Sequence, residues 1–388
     1  MLWQTRMAGA WDPWLAEMQA YRSRLAALIA APREDCVVPK NSAGQGMRAV
    51  LNTYDTTPRV IATAGEFDSI DVILREYAHR GKIELHVVAS RADGKFFPED
   101  IRDAMADGVD LLVISHVVFN TGQVLLGWLA AFEETGQDRF ADAARRAACY
   151  LAATLDADGH WRRGNSRFAR ADATLYNTRT AWALAEAGVR LDDHAFTDAA
   201  ARSLRAAAGL QAQNGWLPHC CLSDPEQPLL HTLAYAIRGL LEGGRVLGDR
   251  CLLGAAERAA SALVTAVRAD GWMPGRYRPD WSPGVRWSCL TGQAQMVNDW
   301  IRLGEMTGDP KWLGPVPAVL EFLKRTQNRR TQKPGVRGGV KGAWPVGGAY
   351  GAYEVLSWAT KFFADALMRH EAIQTNGLGA ASTVSVLA

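Results

Sequence analysis

The chain has 388 residues, room for two or three domains of about 150 residues each, with 48% hydrophobic residues, 22% charged residues and a formal charge of +2. That balance belongs to an ordinary globular protein and excludes a disordered chain and a strongly basic nucleic-acid binder. No window approaches the roughly 18 uncharged apolar residues of a membrane span, and the opening MLWQTRMAGAWDPW lacks an apolar signal stretch, so no membrane span or secretion is expected and the expected compartment is the cytoplasm.

Three of the 14 tryptophans lie before residue 120 (Trp3, Trp11, Trp14) and eleven after it, so the chain reads as composite. The first part opens on a helical run, WDPWLAEMQAYRSRLAALIAA, followed by the apolar segment CVVP (Cys36 to Pro39) and the turn-rich NSAGQGMRAVLN (Asn41 to Asn52). Then come a strand at RVIAT, a helix through FDSIDVILREYAHRG, a strand at IELHVV, a helix near EDIRDAMA and a strand at DLLVISHVV. Regular alternation of strand and helix predicts an α/β layer. Asn41, Ser42, Ala43, Gly44 and Gly46 lie between a strand and a helix, where free backbone N–H groups either receive a phosphate or simply make a tight connection.

The phrases PREDCVVPKNSAGQGMRAVLN, RVIATAGEFDSID and DLLVISHVVFNTGQ resemble the N-terminal half of the large domain of kynureninase-like, class V aminotransferase-fold enzymes, over about residues 10 to 123. The resemblance implies pyridoxal phosphate, with Ser42 and Ala43 on its phosphate and Phe67 on its ring. Such enzymes next supply an aspartate for the pyridinium nitrogen and a lysine for the Schiff base. Neither segment follows here, so the expectation is a truncated fold with no working cofactor and, at most, a vestigial pyridoxal phosphate site.

From Val124 onward helix follows helix, with apolar residues at helical spacing and glycine at several ends. Alternate helices close on DADGHW, QNGW, RADGW and GAW, which place Trp161, Trp216, Trp272 and Trp344 at spacings of 55, 56 and 72 residues. A glycine followed by aspartate opens the next helix in GQDRF, GDRCL and GDPKW. This period predicts an α/α toroid or solenoid of helical hairpins with the function on the loop face. Trp182, Trp300 and Trp312, inside periodic helices, are expected in the core. The four loop tryptophans either plug hairpin ends or serve as platforms for sugar rings.

Polar residues gather at the starts of alternate helices. YNTRTAW carries Tyr176, Asn177 and Arg179; LLHTLAYAIRG carries His231, Tyr235 and Arg238 at i, i+4 and i+7, all on one helix face. GVRWSCLTGQAQ adds Arg286, Ser288, Thr291, Gln293 and Gln295, and VRGGVKGAWP adds Arg337 and Lys341. The stripe is either a satisfied polar seam or a proton-transfer site for an acidic sugar. In the second case Tyr235 exchanges a proton, His231 accepts or neutralises, and Arg238, Arg179 or Asn177 grips a uronate carboxylate. Tyr176 completes the catalytic candidates; Trp161, Trp216, Trp272, Arg286, Gln293, Lys341 and Trp344 are the candidate sugar contacts.

The phrases FNTGQVLLG, YNTRTAWAL, HTLAYAIRGLLEGG, GVRWSCLTGQAQ, VRGGVKGAWPVGGAYG and WATKFFADAL resemble α/α-toroid proteins of bacterial exopolysaccharide synthesis over about residues 117 to 372. These are similar in turn to glucuronyl C5-epimerases, toroidal polysaccharide lyases, six-hairpin glycosidases and prenyltransferase-like toroids. A hydrolase would need two carboxyl groups roughly 5 to 10 Å apart. Asp172, Asp224, Glu226, Asp299 and Glu354 form no evident pair, which favours elimination or epimerisation of uronates. The partners expected are an acidic polysaccharide or oligosaccharide and, by the resemblance, other proteins of polysaccharide synthesis.

The reading is thus a multi-domain, mainly α chain. Residues 1–120 form a truncated α/β segment, 121–372 an incomplete toroid of about four and a half hairpins, and 373–388 a poorly ordered tail. The two parts meet at Phe119–Gln123, either as a natural fusion or as a chimera of two truncated proteins. A carbohydrate-active enzyme, a non-catalytic glycan-binding scaffold and the remnant of a pyridoxal phosphate enzyme all remain open. The cysteines (Cys36, Cys149, Cys220, Cys221, Cys251, Cys289) have no CxxC pair and read as mostly buried thiols, and the dispersed histidines offer no metal set.

Overall fold

The computed structural model describes residues 43–64, 66, 68–89, 98–113, 118–162, 172, 174–221, 224, 226–333 and 336–377, with isolated positions 15, 16, 18–20, 22, 23 and 33. Its contacts define two compact units, Met1–Asp55 with Gln327–Gly339, and Thr56–Thr326 with Val340–Ala388. In the first unit, helix α1 spans Ala43–Leu51, so most of the turn-rich stretch read from sequence is helical. The positions described between 15 and 23 are helical as expected, whereas CVVP and the tail beyond residue 377 lie outside the described residues.

The second unit begins with an α/β layer of β1 (Arg59–Thr63), α2 (Asp68–His79), β2 (Glu84–Val88), α3 (Pro98–Ala104) and β3 (Leu111–Val113). The strands are parallel in the order β2-β1-β3, with Arg59 opposite Glu84 and Val60 opposite Leu111. Val60, Ile61 and Ala62 are buried, as the middle strand of a parallel sheet requires.

Helical hairpins follow. The inner helices are α4 (Val118–Thr135), α6 (Thr178–Arg190), α8 (Leu230–Leu247), α10 (Leu290–Thr307) and α12 (Ser357–Asn376). The outer ones are α5 (Asp138–Thr154), α7 (His194–Gly209), α9 (Arg250–Thr265) and α11 (Val316–Thr326). Each inner helix packs on the next, and each outer helix on the inner partner that precedes it. Among the described residues this makes four hairpins and a half, an incomplete α/α toroid. No described helix is long and apolar enough to cross a membrane.

The glycine-aspartate phrase has a local cause. Gly248 and Gly308 end α8 and α10 in the left-handed conformation, and the next residue, Asp249 or Asp309, accepts backbone N–H groups at the start of the following turn of helix. Where inner helices meet, small residues bring the backbones together. A Cβ on Gly239 would lie 2.2 Å from the Thr178 carbonyl carbon, and one on Gly122 would lie 2.9 Å from Thr180 Cα. Trp182, Trp300 and Trp312 are buried in the core, as expected. Of the five described cysteines, Cys220, Cys221 and Cys289 are buried, while Cys149 and Cys251 are exposed on outer helices.

The carboxyl-terminal halves of the inner helices are stitched by charge. Glu133 of α4 pairs with Arg190 of α6; Glu186, one turn before Arg190, accepts from Arg245 of α8 at 2.7 Å. Arg245 also donates to Glu242 at 2.7 Å, which accepts from Arg302 of α10 at 2.8 Å; Arg302 meets Glu305 at 3.1 Å, and Glu305 pairs with Arg369 of α12 at 3.1 Å. Arg238 sits beside this belt, 3.4 Å from Glu242 and 3.3 Å from Asp299. Burial alone would raise Glu242, but Arg238 and Arg302, with hydrogen bonds from Arg302 and Arg245, outweigh it and hold the carboxyl at about 2. Burial dominates at Asp299 and pushes it up to about 6 against the opposing pull of Arg238 and Arg179.

Two outcomes follow from the belt. Glu242→Ala leaves Arg238 and Arg302 without their shared carboxylate and lowers unfolding free energy by about 3–5 kcal/mol in urea titrations. Asp299 binds its proton in the folded chain up to about pH 6 but releases it near 4 when unfolded, so its contribution makes stability fall as pH rises across that interval. Asp299→Asn flattens that part of the stability profile; an unchanged slope between pH 4 and 6 contradicts the assignment.

Candidate functional site

All five inner helices point their amino-terminal turns at one end of the ring, and aromatic side chains converge there. Phe119, in the first turn of α4, lies 5.6 Å from the ring of Tyr176 and 4.8 Å from that of Tyr235. His231 and Tyr235, one turn apart on α8, have ring centres 4.5 Å apart. His231 also faces Tyr350 at 5.4 Å, and Tyr235 meets Phe362 of α12 edge-on at 6.2 Å. The hydroxyl of Tyr350 accepts from Trp358 Nε1 at 3.0 Å.

Arg179, two residues into α6, reaches into this basket. Its guanidinium carbon is 5.2 Å from the Tyr235 ring, 5.4 Å from Trp182 and 6.0 Å from Phe362, within cation–π range of each. Its Nε donates to Gln123 Oε1 at 2.6 Å. Burial lowers its pKa, and Tyr235 and the more distant Asp299 and Glu242 act in the opposite sense.

His231 Nδ1 lies 2.7 Å from Gln295 Oε1, and because an amide oxygen only accepts, Nδ1 carries the proton and Nε2 keeps its lone pair. Burial lowers His231 to about 4, with the Gln295 hydrogen bond opposing and Arg179 adding to the shift. The imidazole is therefore neutral at pH 7. Burial also raises the Tyr235 hydroxyl, against Arg179, so it stays protonated.

The residues singled out from sequence separate into groups. Tyr176, Arg179, His231 and Tyr235 share the basket, and Asn177 is buried in the 3-10 turn beside Tyr176 that leads into α6. Arg238 lies about 10 Å further along α8 than His231, held by Asp299 and Glu242 in the ionic belt. Trp161 and Trp216 are buried plugs: Trp161 Nε1 donates to Leu151 O at 2.9 Å, and Trp216 packs edge-on against Trp281 at 5.2 Å. Trp272 is half-buried beneath Arg268, and Gln293 is buried, donating to Gly271 O at 2.9 Å. Lys341 Nζ donates to Thr326 O at 2.6 Å and lies 5.6 Å from the exposed Trp344 ring; Arg286 is exposed. Among the carboxylates, Asp172 faces His219 at 3.3 Å and Asp224 caps the turn at Glu226 and Gln227. Tyr350, Trp358 and Phe362 were not among the site candidates read from sequence, although the aromatic density of AYGAYEVLSWATKFF marks the segment. Ser42 and Phe67 lie outside the described residues, and Ala43 opens α1.

Residues 13–126 match the family model for aminotransferase class-V. The pyridoxal phosphate that this match implies needs a lysine at the carboxyl edge of the sheet. Lys82, the lysine among the described residues of the match, is exposed in the turn before β2, at the opposite edge; Lys40 and Lys95 lie outside the described residues. At the carboxyl end of β1 stands Glu66, a buried carboxylate that accepts from Thr63 N at 3.2 Å. The described residues do not fit the cofactor.

No curated protein matches the chain. Among solved structures, it is similar to an unsaturated glucuronyl hydrolase specific for heparin, at 16% identity and a TM-score of 0.54 over 68% of this chain and 77% of that one. It is also similar to the unsaturated glucuronyl hydrolase of Bacillus sp. GL1, responsible for the degradation of glycosaminoglycan, at 15% identity and 0.54 over 81% of each chain. A D-mannose isomerase follows at 11% identity and 0.52 over 69% of this chain and 75% of that one. At such identities the likeness is one of fold: the hairpins of this chain have the α/α-toroid architecture of carbohydrate-active enzymes.

Proposed function

We propose that the ring takes an acidic sugar, a uronate unit of a polysaccharide under synthesis or modification, and moves a proton at the carbon next to its carboxylate. The observation that carries this reading is Arg179. The buried arginines of the belt each meet a carboxylate within ion-pair distance, whereas Arg179, equally deep, makes no such pair among the described residues: its Nε donates to neutral Gln123, aromatic rings lie around it, and Asp299 and Glu242 act on it only from beyond ion-pair distance. A buried cation without a counter-ion favours an anionic ligand, and a guanidinium matches a carboxylate in two parallel hydrogen bonds.

Neutralising that carboxylate acidifies the adjacent C5–H bond of a uronate and stabilises the charge that develops when the proton leaves. Nε2 of neutral His231 is the acceptor, and the protonated hydroxyl of Tyr235 is the donor. In elimination the C5–H electron pair becomes the C4=C5 double bond, and the C4–O bond breaks as its oxygen takes a proton. In epimerisation the proton returns to C5 from the opposite face.

A second reading, a non-catalytic glycan-binding protein of polysaccharide assembly, is favoured by one observation. Burial holds the His231 and Tyr235 pKa values on either side of neutrality, so neither group is poised near pH 7.

The test is a panel of uronate oligosaccharides, followed by ultraviolet absorbance of the unsaturated product and by deuterium exchange at C5. Arg179→Gln is expected to weaken binding of a uronate glycan about tenfold or more while leaving the matched neutral sugar unaffected. His231→Ala and Tyr235→Phe are expected to abolish turnover with binding retained. Turnover that survives both substitutions removes the catalytic assignment, and wild-type binding without product selects the second reading. In the active case kcat/KM falls as pH drops through about 4, where His231 gains a proton and loses its acceptor lone pair.

A further inference from the structure

The segment between β5 (Ala343–Trp344) and α12 forms a tight flap beside the basket. β5 pairs antiparallel with β4 (Ser288–Cys289), and Leu290 N donates to Gly342 O at 3.2 Å, which ties the flap to the start of α10. Its two arms close on one another through Gly342 N to Glu354 O at 3.2 Å, Leu356 N to Val340 O at 2.9 Å and Tyr353 N to Val346 O at 2.8 Å. Gly348 lies so near Trp287 that a Cβ would come within 2.9 Å of the indole, pinning the turn to the body of the ring.

This rigid flap and the first turn of α12 carry aromatics of rising exposure. Tyr350 is half-buried against His231; Trp358, bonded to the Tyr350 hydroxyl, is 47% exposed; Trp344 is 38% exposed and Tyr353 82%. Tyr353 takes a φ of +62°, a conformation uncommon for a bulky residue, with its ring held out to solvent. Single exposed aromatics are ordinary, but here three lie on one braced flap and the helix turn that follows it, and one of them, Trp358, is bonded to the basket residue Tyr350. Gly347, Gly348, Ala349, Gly351 and Ala352 make up the small residues of the flap, with Gly347 beside the Tyr353 hydroxyl, and Lys341 supplies a cation beside Trp344.

We propose that Trp358 and Tyr353, continuing from Tyr350, form a distal subsite on which further sugar residues of an acidic glycan stack, so that the ligand is a chain of several residues whose uronate enters the basket. The subsite rests on the acidic-sugar reading of Arg179. A glycan fits better than a protein partner because Trp358 is tied through the Tyr350 hydroxyl to a ring that faces His231 in the basket. A pyranose presents its C–H face to a ring and its hydroxyl and carboxylate groups to a neighbouring lysine.

The experiment measures binding of glucuronate-containing oligosaccharides of two and six residues, prepared from hyaluronan and from heparin, to the full chain, to Trp358→Ala and to Tyr353→Gly. Glycine adopts the positive φ at position 353 without strain, so that variant keeps the flap. The wild type is expected to bind the hexasaccharide about tenfold more tightly than the disaccharide, each variant closing most of that gap, with the disaccharide affinity unchanged in Tyr353→Gly, whose side chain lies outside the basket. Equal affinity for both lengths in the wild type, or a gap that persists in both variants, overturns the subsite and leaves the basket reading standing. Absence of binding at either length overturns both. A length preference that these variants lose, without any product, supports the subsite and removes only the catalytic step. If sedimentation shows instead that the variants convert a dimer to a monomer with no change in glycan affinity, the patch is a protein contact and the proposal fails.

Discussion

An unbroken chain of ion pairs runs through all five inner helices, from Glu133 to Arg190, Glu186, Arg245, Glu242, Arg302, Glu305 and Arg369. Inner helices of an incomplete ring lack the mutual confinement that closure provides, and apolar packing alone is tolerant of sliding. Charge pairs are not, because a displacement of a few ångströms strands a buried carboxylate or guanidinium at a cost of several kcal/mol. The belt therefore fixes the register of α6, α8, α10 and α12 against one another, whereas the Glu133–Arg190 pair that reaches α4 is exposed and adds little. Its arginines also lie toward the carboxyl ends of the inner helices, where the helix dipole favours a cation.

That arrangement sorts charge along the ring axis. The acidic groups Glu186, Glu242, Asp299 and Glu305 are collected in the deep half and consumed by arginine. The amino-terminal half receives Arg179, without an ion-paired carboxylate among the described residues, and the inner helix N-termini at that end add partial positive charge. Among the described residues this is a local separation of charge, since the chain as a whole is nearly neutral.

The architecture was largely readable from sequence because its signals are local. Helical periodicity, the glycine-aspartate phrase at hairpin turns and the α/β alternation each arise within a few residues, and the structure realises them as helix caps, helices and a parallel sheet. The site was readable only in part. The i, i+4, i+7 spacing puts His231, Tyr235 and Arg238 on one face of α8, where His231 and Tyr235 do meet, yet it treats Arg238 and Arg179 as equivalent cations. What separates them is Asp299, 61 residues from Arg238 in sequence and in contact with it in space. The loop tryptophans illustrate the same limit: Trp161 and Trp344 both sit beside hairpin-end glycines, but one donates inward to Leu151 O and the other stands on an exposed flap. No local pattern distinguishes a plug from a platform, since either outcome depends on what the rest of the chain packs over the ring.

Phe119–Gln123, where the two resemblances meet, belongs structurally to the ring. The aminotransferase-like match runs to residue 126, well inside α4, which starts at Val118. Within that overlap Phe119 packs against both Tyr176 and Tyr235, Gly122 admits the backbone of α6, and Gln123 fixes the guanidinium of Arg179. Residues at the end of one resemblance thereby orient the side chain on which the acidic-sugar reading of the other depends. However the two parts came to be joined, the first turns of α4 cannot be assigned to the α/β layer without taking away a wall of the basket, and a ring that began after Gln123 would leave Arg179 with neither its hydrogen-bond partner nor its place against Tyr235.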